Sequence, residues 1–269
     1  MALDFEHAHS VIKKLCISFF LINSYSDKMG YLINEAIENG MVKDIDLTSG
    51  IQKLPFDVSY EERAKHGAGV NSFFRNYPNI SNCLTRLHLY NAAFAESDMH
   101  NLLANACTEL HYLLLYLCDI GFDTLFKIDA PNSKLKVLEF CFCHSQRVEL
   151  VCLPKLELLI YGLWSTPYLP LTMGRVPCLK EVELYCSAES YKEPLKLSEL
   201  LYGITCVNTL ILDFFGEEIW LEPERNQLRS AFSNLRELSL LGIFVGFGLL
   251  WTTALLDAAP FLEGLPRDA

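Results

Sequence analysis

LHYLLLYLCDI, residues 110–120, fits the pattern L-x-x-L-x-L-x-x-C-x-I at every specified position. Its alternating leucines read as a short strand with one buried face, and its last residues as the turn that leaves it. The same core recurs along most of the chain. Starts fall at Ile12 (IKKLCI), Val42 (VKDIDL), Leu84 (LTRLHL), Leu110 (LHYLLL), Leu135 (LKVLEF), Leu156 (LELLIY), Leu179 (LKEVEL), Val207 (VNTLIL) and Leu235 (LRELSL), with a degraded tenth at Leu262 (LEGLPR). Most neighbouring starts are 21 to 30 residues apart; the exception is Val42 to Leu84, where an insertion occupies about 48–83. A period of roughly 20–50 residues is the signature of a solenoid, in which no unit buries its apolar face alone and stacking does so.

Helical signals lie between the cores. Ser26 precedes Met29, Leu32, Ile33, Ala36 and Ile37 at helical spacing, and Asn39-Gly40 closes that stretch. Ser59 and Glu62 form a capping-box pattern ahead of Val70, Phe73 and Phe74. Ser97 precedes Met99, Leu102 and Leu103; Ser198 precedes Leu200, Leu201 and Ile204; Trp251, Leu255 and Ala259 make a further stripe. Strand, turn and helix in repetition predict an α/β fold, with a concave parallel β-sheet and helices or irregular segments on the convex side. The whole of 1–269 reads as a single domain. The Asn/Cys position after each core holds Cys118, Cys143 and Ser187 in three repeats but Ala92, Trp164, Phe215 and Ile243 in others, which predicts irregular repeats.

Composition narrows the function classes. The chain has 269 residues, 51% of them hydrophobic, and a formal charge of −11. That balance argues against nucleic acid, whose phosphates need clustered Lys and Arg. Ten cysteines lie mostly in apolar runs without any C-x-x-C pair, so zinc spacing is missing and reduced thiols in an intracellular protein, cytoplasmic or nuclear, are expected. CISFFLI, residues 16–22, is too short for a secretory signal and follows Asp4 and Glu6. Residues 238–256 carry no charge, but Gly242, Gly246 and Gly248 interrupt them and they start inside a repeat core, so they read as strand, loop and helix and not as a membrane span.

Signatures of catalysis are missing: no G-x-x-x-x-G-K-S/T, G-x-G-x-x-G after a strand, H-E-x-x-H or G-x-S-x-G occurs. His7 and His9 are the one close histidine pair; Glu61-Glu62 and Glu217-Glu218 read as solvated charge pairs, and His88 and His111 lie within repeat cores. No catalytic residue, metal or cofactor is expected.

Side chains between the inward leucines point to the other face of the sheet. They form three lateral columns. The first holds Arg86, Tyr112, Val137, Leu158, Glu181, Thr209 and Glu237; the second His88, Leu114, Glu139, Ile160, Glu183, Ile211 and Ser239; the third Tyr90, Tyr116, Cys141, Gly162, Tyr185, Asp213 and Leu241. The candidate partner surface is Arg86, His88, Tyr90, Tyr112, Leu114, Tyr116, Leu158, Ile160, Glu181, Glu183 and Tyr185, an apolar and tyrosine-rich patch flanked by carboxylates. A one-residue slip would exchange the faces.

The stretches LTRLHLYNAAFAESDMHNLLANACTEL (84–110), VELVCLPKLELLIYGLW (148–164), GRVPCLKEVEL (174–184), LKLSELL (195–201), EEIWLEPE (217–224) and LLWTTALLDAAPFLE (249–263) together resemble the leucine-rich-repeat region of plant F-box proteins, above all the large grass group. The resemblance implies a leucine-rich-repeat horseshoe that presents a target protein to an SCF-type ubiquitin ligase. An F-box would precede the repeats and dock on a Skp-type adaptor; none is found here, so adaptor docking is not expected from the residues themselves. An interaction protein with repeats but no ligase coupling, or a truncated product, is the alternative; a small-ligand receptor is a further one, without a convergent polar cluster to support it.

Overall fold

The computed structural model describes residues 12–20, 23–51, 53, 57–120, 125–164, 166–186, 193–215, 219–222, 224, 227–244 and 250–262. Its strands are β1 (Ile12–Phe20), β2 (Val42–Gly50), β3 (Leu84–Tyr90), β4 (Tyr112–Tyr116), β5 (Leu125–Asp129), β6 (Val137–Cys141), β7 (Arg147–Cys152), β8 (Leu158–Gly162), β9 (Leu171–Arg175), β10 (Glu181–Cys186), β11 (Thr209–Phe214) and β12 (Glu237–Leu241). Helices are α1 (Asn23–Glu38), α2 (Tyr60–Asn76), α3 (Pro78–Cys83), α4 (Glu96–His100) with a wider π-type continuation (Asn101–Ala106), α5 (Leu197–Leu200) and α6 (Leu250–Ala258).

Each of the nine intact cores becomes a strand of one parallel sheet, ordered β1-β2-β3-β4-β6-β8-β10-β11-β12. This is a long all-parallel sheet of short strands in an α/β chain, consistent with a solenoid-like repeat. From β3 to β12 the pairing puts Arg86, Tyr112, Val137, Leu158, Glu181, Thr209 and Glu237 in one line, the lateral column expected from the alignment. Between β2 and β3 the register shifts at Ile45/Asp46, so Asp46 pairs with Arg86 and Leu47 with Leu87. The repeat alignment alone would have set Asp44 beside Arg86. The two-residue shift keeps the faces and slides the column.

Inward positions are closed to solvent: Leu87, Leu89, Leu113, Leu115, Leu138, Phe140, Leu159, Val182, Leu184, Leu210 and Leu212 are each 0% exposed. At about 25 cal/mol per Å² of apolar surface removed from water, this continuous layer is the main stabilising term. Backbone ladders tie successive units beyond the strands. His111, Lys136, Glu157 and Lys180 each accept an N–H from the next unit at 2.7–2.9 Å. At the other end Asn91, Leu117, Phe142 and Leu163 turn with φ of 52–54°, and each donates its N–H to the third-column carbonyl of the next unit at 2.8–3.2 Å. One side-chain-bearing residue in this region in each of four successive units is costly, about 1–3 kcal/mol each, and the shared hydrogen bond offsets part of that.

Across the core from the main sheet lies a second, three-stranded parallel sheet, β5-β7-β9, where helices or irregular segments were expected. Length explains it. The units starting at Leu110, Leu135 and Leu156 span 25, 21 and 23 residues, and these carry β5, β7 and β9. A strand advances about 3.3 Å per residue and a helix about 1.5 Å, so a short unit must return extended. Phe126, Ile128, Val148 and Leu150 point inward and are 0–1% exposed.

The stretch expected as an insertion is structured. Gly50 ends β2, and α2 and α3 then pack Val70, Phe73, Phe74 and Ile80 into the common core. The capping box at Ser59 and Glu62 forms as expected. Its Glu62 carboxylate, held by Lys53 and the Ser59 backbone, is pulled down to a pKa of about 2. Other helix starts differ from expectation. α1 begins at Asn23, ahead of Ser26. Ser97 lies inside α4, which is capped by Asp98 accepting the Ala95 N–H. Ser198 lies inside the short α5, where Glu224 holds its N–H at 3.0 Å and also its hydroxyl. The uncharged run 238–256 divides into β12 and α6, and among the described residues no helix is long and apolar enough to cross a membrane.

Two devices fill the Asn/Cys position after the cores. Cys118 and Cys143 aim their thiols at the carbonyls of Leu89 and Leu115, at 3.4 and 3.2 Å. Burial pushes the Cys118 thiol up to about 12 and Cys143 likewise up. Where Trp164 stands instead, an aromatic chain takes over, with Trp164–Trp220 centroids 5.4 Å apart, Phe214–Trp220 4.9 Å and Phe214–Trp251 5.3 Å. Ser187, His7, His9 and the pair Glu217-Glu218 lie outside the described residues.

Candidate interaction surface

The outward face of the main sheet collects the eleven candidate residues. Arg86, His88 and Tyr90 come from β3, Tyr112, Leu114 and Tyr116 from β4, Leu158 and Ile160 from β8, and Glu181, Glu183 and Tyr185 from β10. Pairing makes Arg86 neighbour Tyr112, His88 neighbour Leu114, Tyr90 neighbour Tyr116, and Leu158 and Ile160 neighbour Glu181 and Glu183. Ten of the eleven are half-buried. Leu114 is the exception at 8% exposed, its register neighbours being His88 and Glu139. It supports the surface and offers little area of its own.

The β1–β4 end of the face carries charge partners of its own. Lys14 Nζ lies 2.9 Å from Asp46 Oδ2, and Arg86 Nε 3.5 Å from the same atom. The Arg86 guanidinium sits 4.0 Å above the Tyr112 ring centroid, a cation–π contact that holds the fork flat over the sheet. The Tyr112 hydroxyl donates to Glu139 Oε2 at 2.7 Å. Burial and the Glu139 acceptor both raise the Tyr112 pKa, so the phenol stays protonated and continues to donate. His88 packs against Tyr112 with ring centroids 5.0 Å apart; desolvation outweighs the pull of Asp46 and lowers its pKa, leaving it neutral. Tyr90 and Tyr116 stack at 5.4 Å and Tyr116 meets Phe142 edge-on at 5.8 Å.

The other half has a different character. Tyr185 lays its ring over Gly162, where an added Cβ would fall 2.0 Å from the ring, so glycine is what lets the tyrosine lie flat. Burial, ahead of the influence of the neighbouring Cys141 thiol, raises the Tyr185 pKa. From β6 to β12 the columns carry Glu139, Glu181, Glu183, Asp213 and Glu237 and no Lys or Arg. Glu183 has its pKa raised, first by desolvation and then by Glu181, Glu139 and Asp213. Lys136 and Lys180, at the sheet's rim, are both committed to Glu157, at 3.4 and 3.0 Å.

Two residues join the surface that the candidate set omits. Glu139 was visible in the second column and is the acceptor that fixes Tyr112. Asp46 was hidden, because only the register shift at β2 brings it beside Arg86. Chemically, the face offers aromatic and apolar area with oriented charges. Among the described residues no group of three or more His, Cys, Asp or Glu is placed to hold a metal ion. No known family model matches this sequence, and no curated protein does so either.

Proposed function

We propose that the chain is a non-enzymatic protein-binding module, a leucine-rich-repeat solenoid of the kind that presents targets in plant F-box ubiquitin-ligase receptors. The observation that carries this reading is the outward face, where side chains from seven successive strands, β3 to β12 of the main sheet, stand in register as three columns. A face of this kind binds by area and patterning: tyrosines and an arginine fixed by their neighbours lose little entropy on contact, and such residues dominate interface energetics. The ten cysteines, none of them joined in a disulfide among the described residues, support an intracellular setting.

Binding and ligase coupling are separable and so are their tests. Mixing the purified full chain with a purified Skp-type adaptor, followed by size-exclusion chromatography, reads the coupling alone. Coelution supports a ligase receptor. Separate elution removes the ligase role and leaves an interaction protein whose repeats bind a target without delivering ubiquitin.

A further inference from the structure

The two halves of the outward face differ in what they leave unmet. In the β1–β4 half the cations of the face have partners: Lys14 and Arg86 share Asp46, and Arg86 also covers Tyr112. In the other half Glu181, Glu183 and Asp213 take part in no ion pair among the described residues. They stand close enough that Glu183 feels Glu181, Glu139 and Asp213 at once. Like charges gathered on adjacent strands destabilise a fold. A protein keeps such an arrangement at a cost to itself, and a complementary partner relieves it.

The pattern is more specific than a patch of negative charge. Along the second column the order is Glu139, Ile160, Glu183, Ile211, carboxylate alternating with apolar side chain from strand to strand. Strand spacing of about 4.8 Å places the two carboxylates roughly 10 Å apart with an isoleucine between. Leu158 and Thr209 widen the apolar strip on one side, and the Tyr185 ring, lying over Gly162, bounds it on the other.

Resting on the protein-binding reading above, we propose that this half of the face, from β6 to β11, docks a polypeptide segment that presents basic side chains alternating with apolar ones. The apolar side chains of the segment cover Leu158, Ile160 and Ile211, and its Lys or Arg groups meet Glu139, Glu181, Glu183 and Asp213. Partner choice follows from charge: an acidic segment is repelled by the same four carboxylates.

The test is selection from a randomised displayed peptide library on the intact chain, followed by affinity measurement of the selected peptides. The comparison variant is Glu181→Gln/Glu183→Gln/Asp213→Asn, which removes charge and keeps shape at three positions that make no ion pair among the described residues. The expected result has three parts: selected peptides enriched in Lys and Arg interleaved with apolar residues, an affinity at least about tenfold lower for the variant, and a thermal midpoint for the variant no lower than that of the parent. Peptides selected without basic enrichment, or bound equally by parent and variant, would overturn the charge inference and leave the binding role intact. A chain that retains no peptide at all would overturn both.

Discussion

At the residue scale, His66 shows how one buried polar group fastens two units together. It is 5% exposed, with Nδ1 3.1 Å from the Asn91 carbonyl and Nε2 3.0 Å from the Ser49 hydroxyl. A carbonyl can only accept, so Nδ1 carries the hydrogen and donates, and Nε2 accepts from Ser49. Desolvation lowers its pKa from 6.5. A group with a depressed basic pKa favours folding most above its unfolded value. As pH falls below 6.5 the unfolded chain takes up the proton first, and stability declines until pH passes the folded pKa. His88 and His144 are shifted in the same direction and add to the slope. His66→Gln is expected to be less stable at pH 7.5 and to show a shallower loss between pH 7 and 5, by up to about 1.4 kcal/mol per pH unit. Denaturant unfolding across that range measures it; an unchanged slope would mean that His66 is not held neutral. Nothing in the linear sequence marks this residue, because its partners lie 17 and 25 residues away.

At the scale of elements, α2 is the piece whose docking is most demanding. Gly67 faces the Ala93 backbone so closely that an added Cβ would fall 1.9 Å from the Ala93 oxygen. That oxygen belongs to a turn tied on both sides: Ala93 donates its N–H to the Arg63 carbonyl at 2.9 Å, and Ala93 bridges to Asp119. Backbone cannot yield as a side-chain tip does, so Gly67→Ala is expected to destabilise by about 1–3 kcal/mol, although alanine is the better helix former. Thermal unfolding reads the sign, and a stabilised variant would show that α2 packs less closely. The elements also mark what was legible. Strand cores and their faces follow from alternation alone, and all nine intact cores were placed. β5, β7 and β9 are not legible in the same way, although Phe126-Lys127-Ile128-Asp129 alternates as plainly as the cores, because a run of five or six residues does not by itself separate an extended return from a short helical one. Helix starts at Asn23 and Glu96 were missed because the serines nearby offered a local cap that the structure does not use.

At the scale of the whole molecule, the column assignments were readable because every unit from β3 onward pairs without offset, so adding a constant to residue numbers sufficed. The register shift within the main sheet, at Ile45/Asp46, broke that arithmetic and concealed the ion pairs of Asp46 with Lys14 and Arg86. What sequence could not supply was the difference between the halves: the expected apolar and tyrosine-rich patch flanked by carboxylates divides into an aromatic half whose cations are paired and an acidic half whose carboxylates make no ion pair among the described residues. The central claim is that the outward face of the nine-stranded sheet, and not the three-stranded sheet across the core, is the binding surface. The direct measurement takes peptides selected on the intact chain and compares two variants that remain folded by thermal unfolding. Leu158→Ala/Ile160→Ala truncates the outward face, and Arg175→Ala truncates exposed β9. The account predicts at least about tenfold weaker binding for the first and no change for the second; loss of binding confined to the second would contradict it.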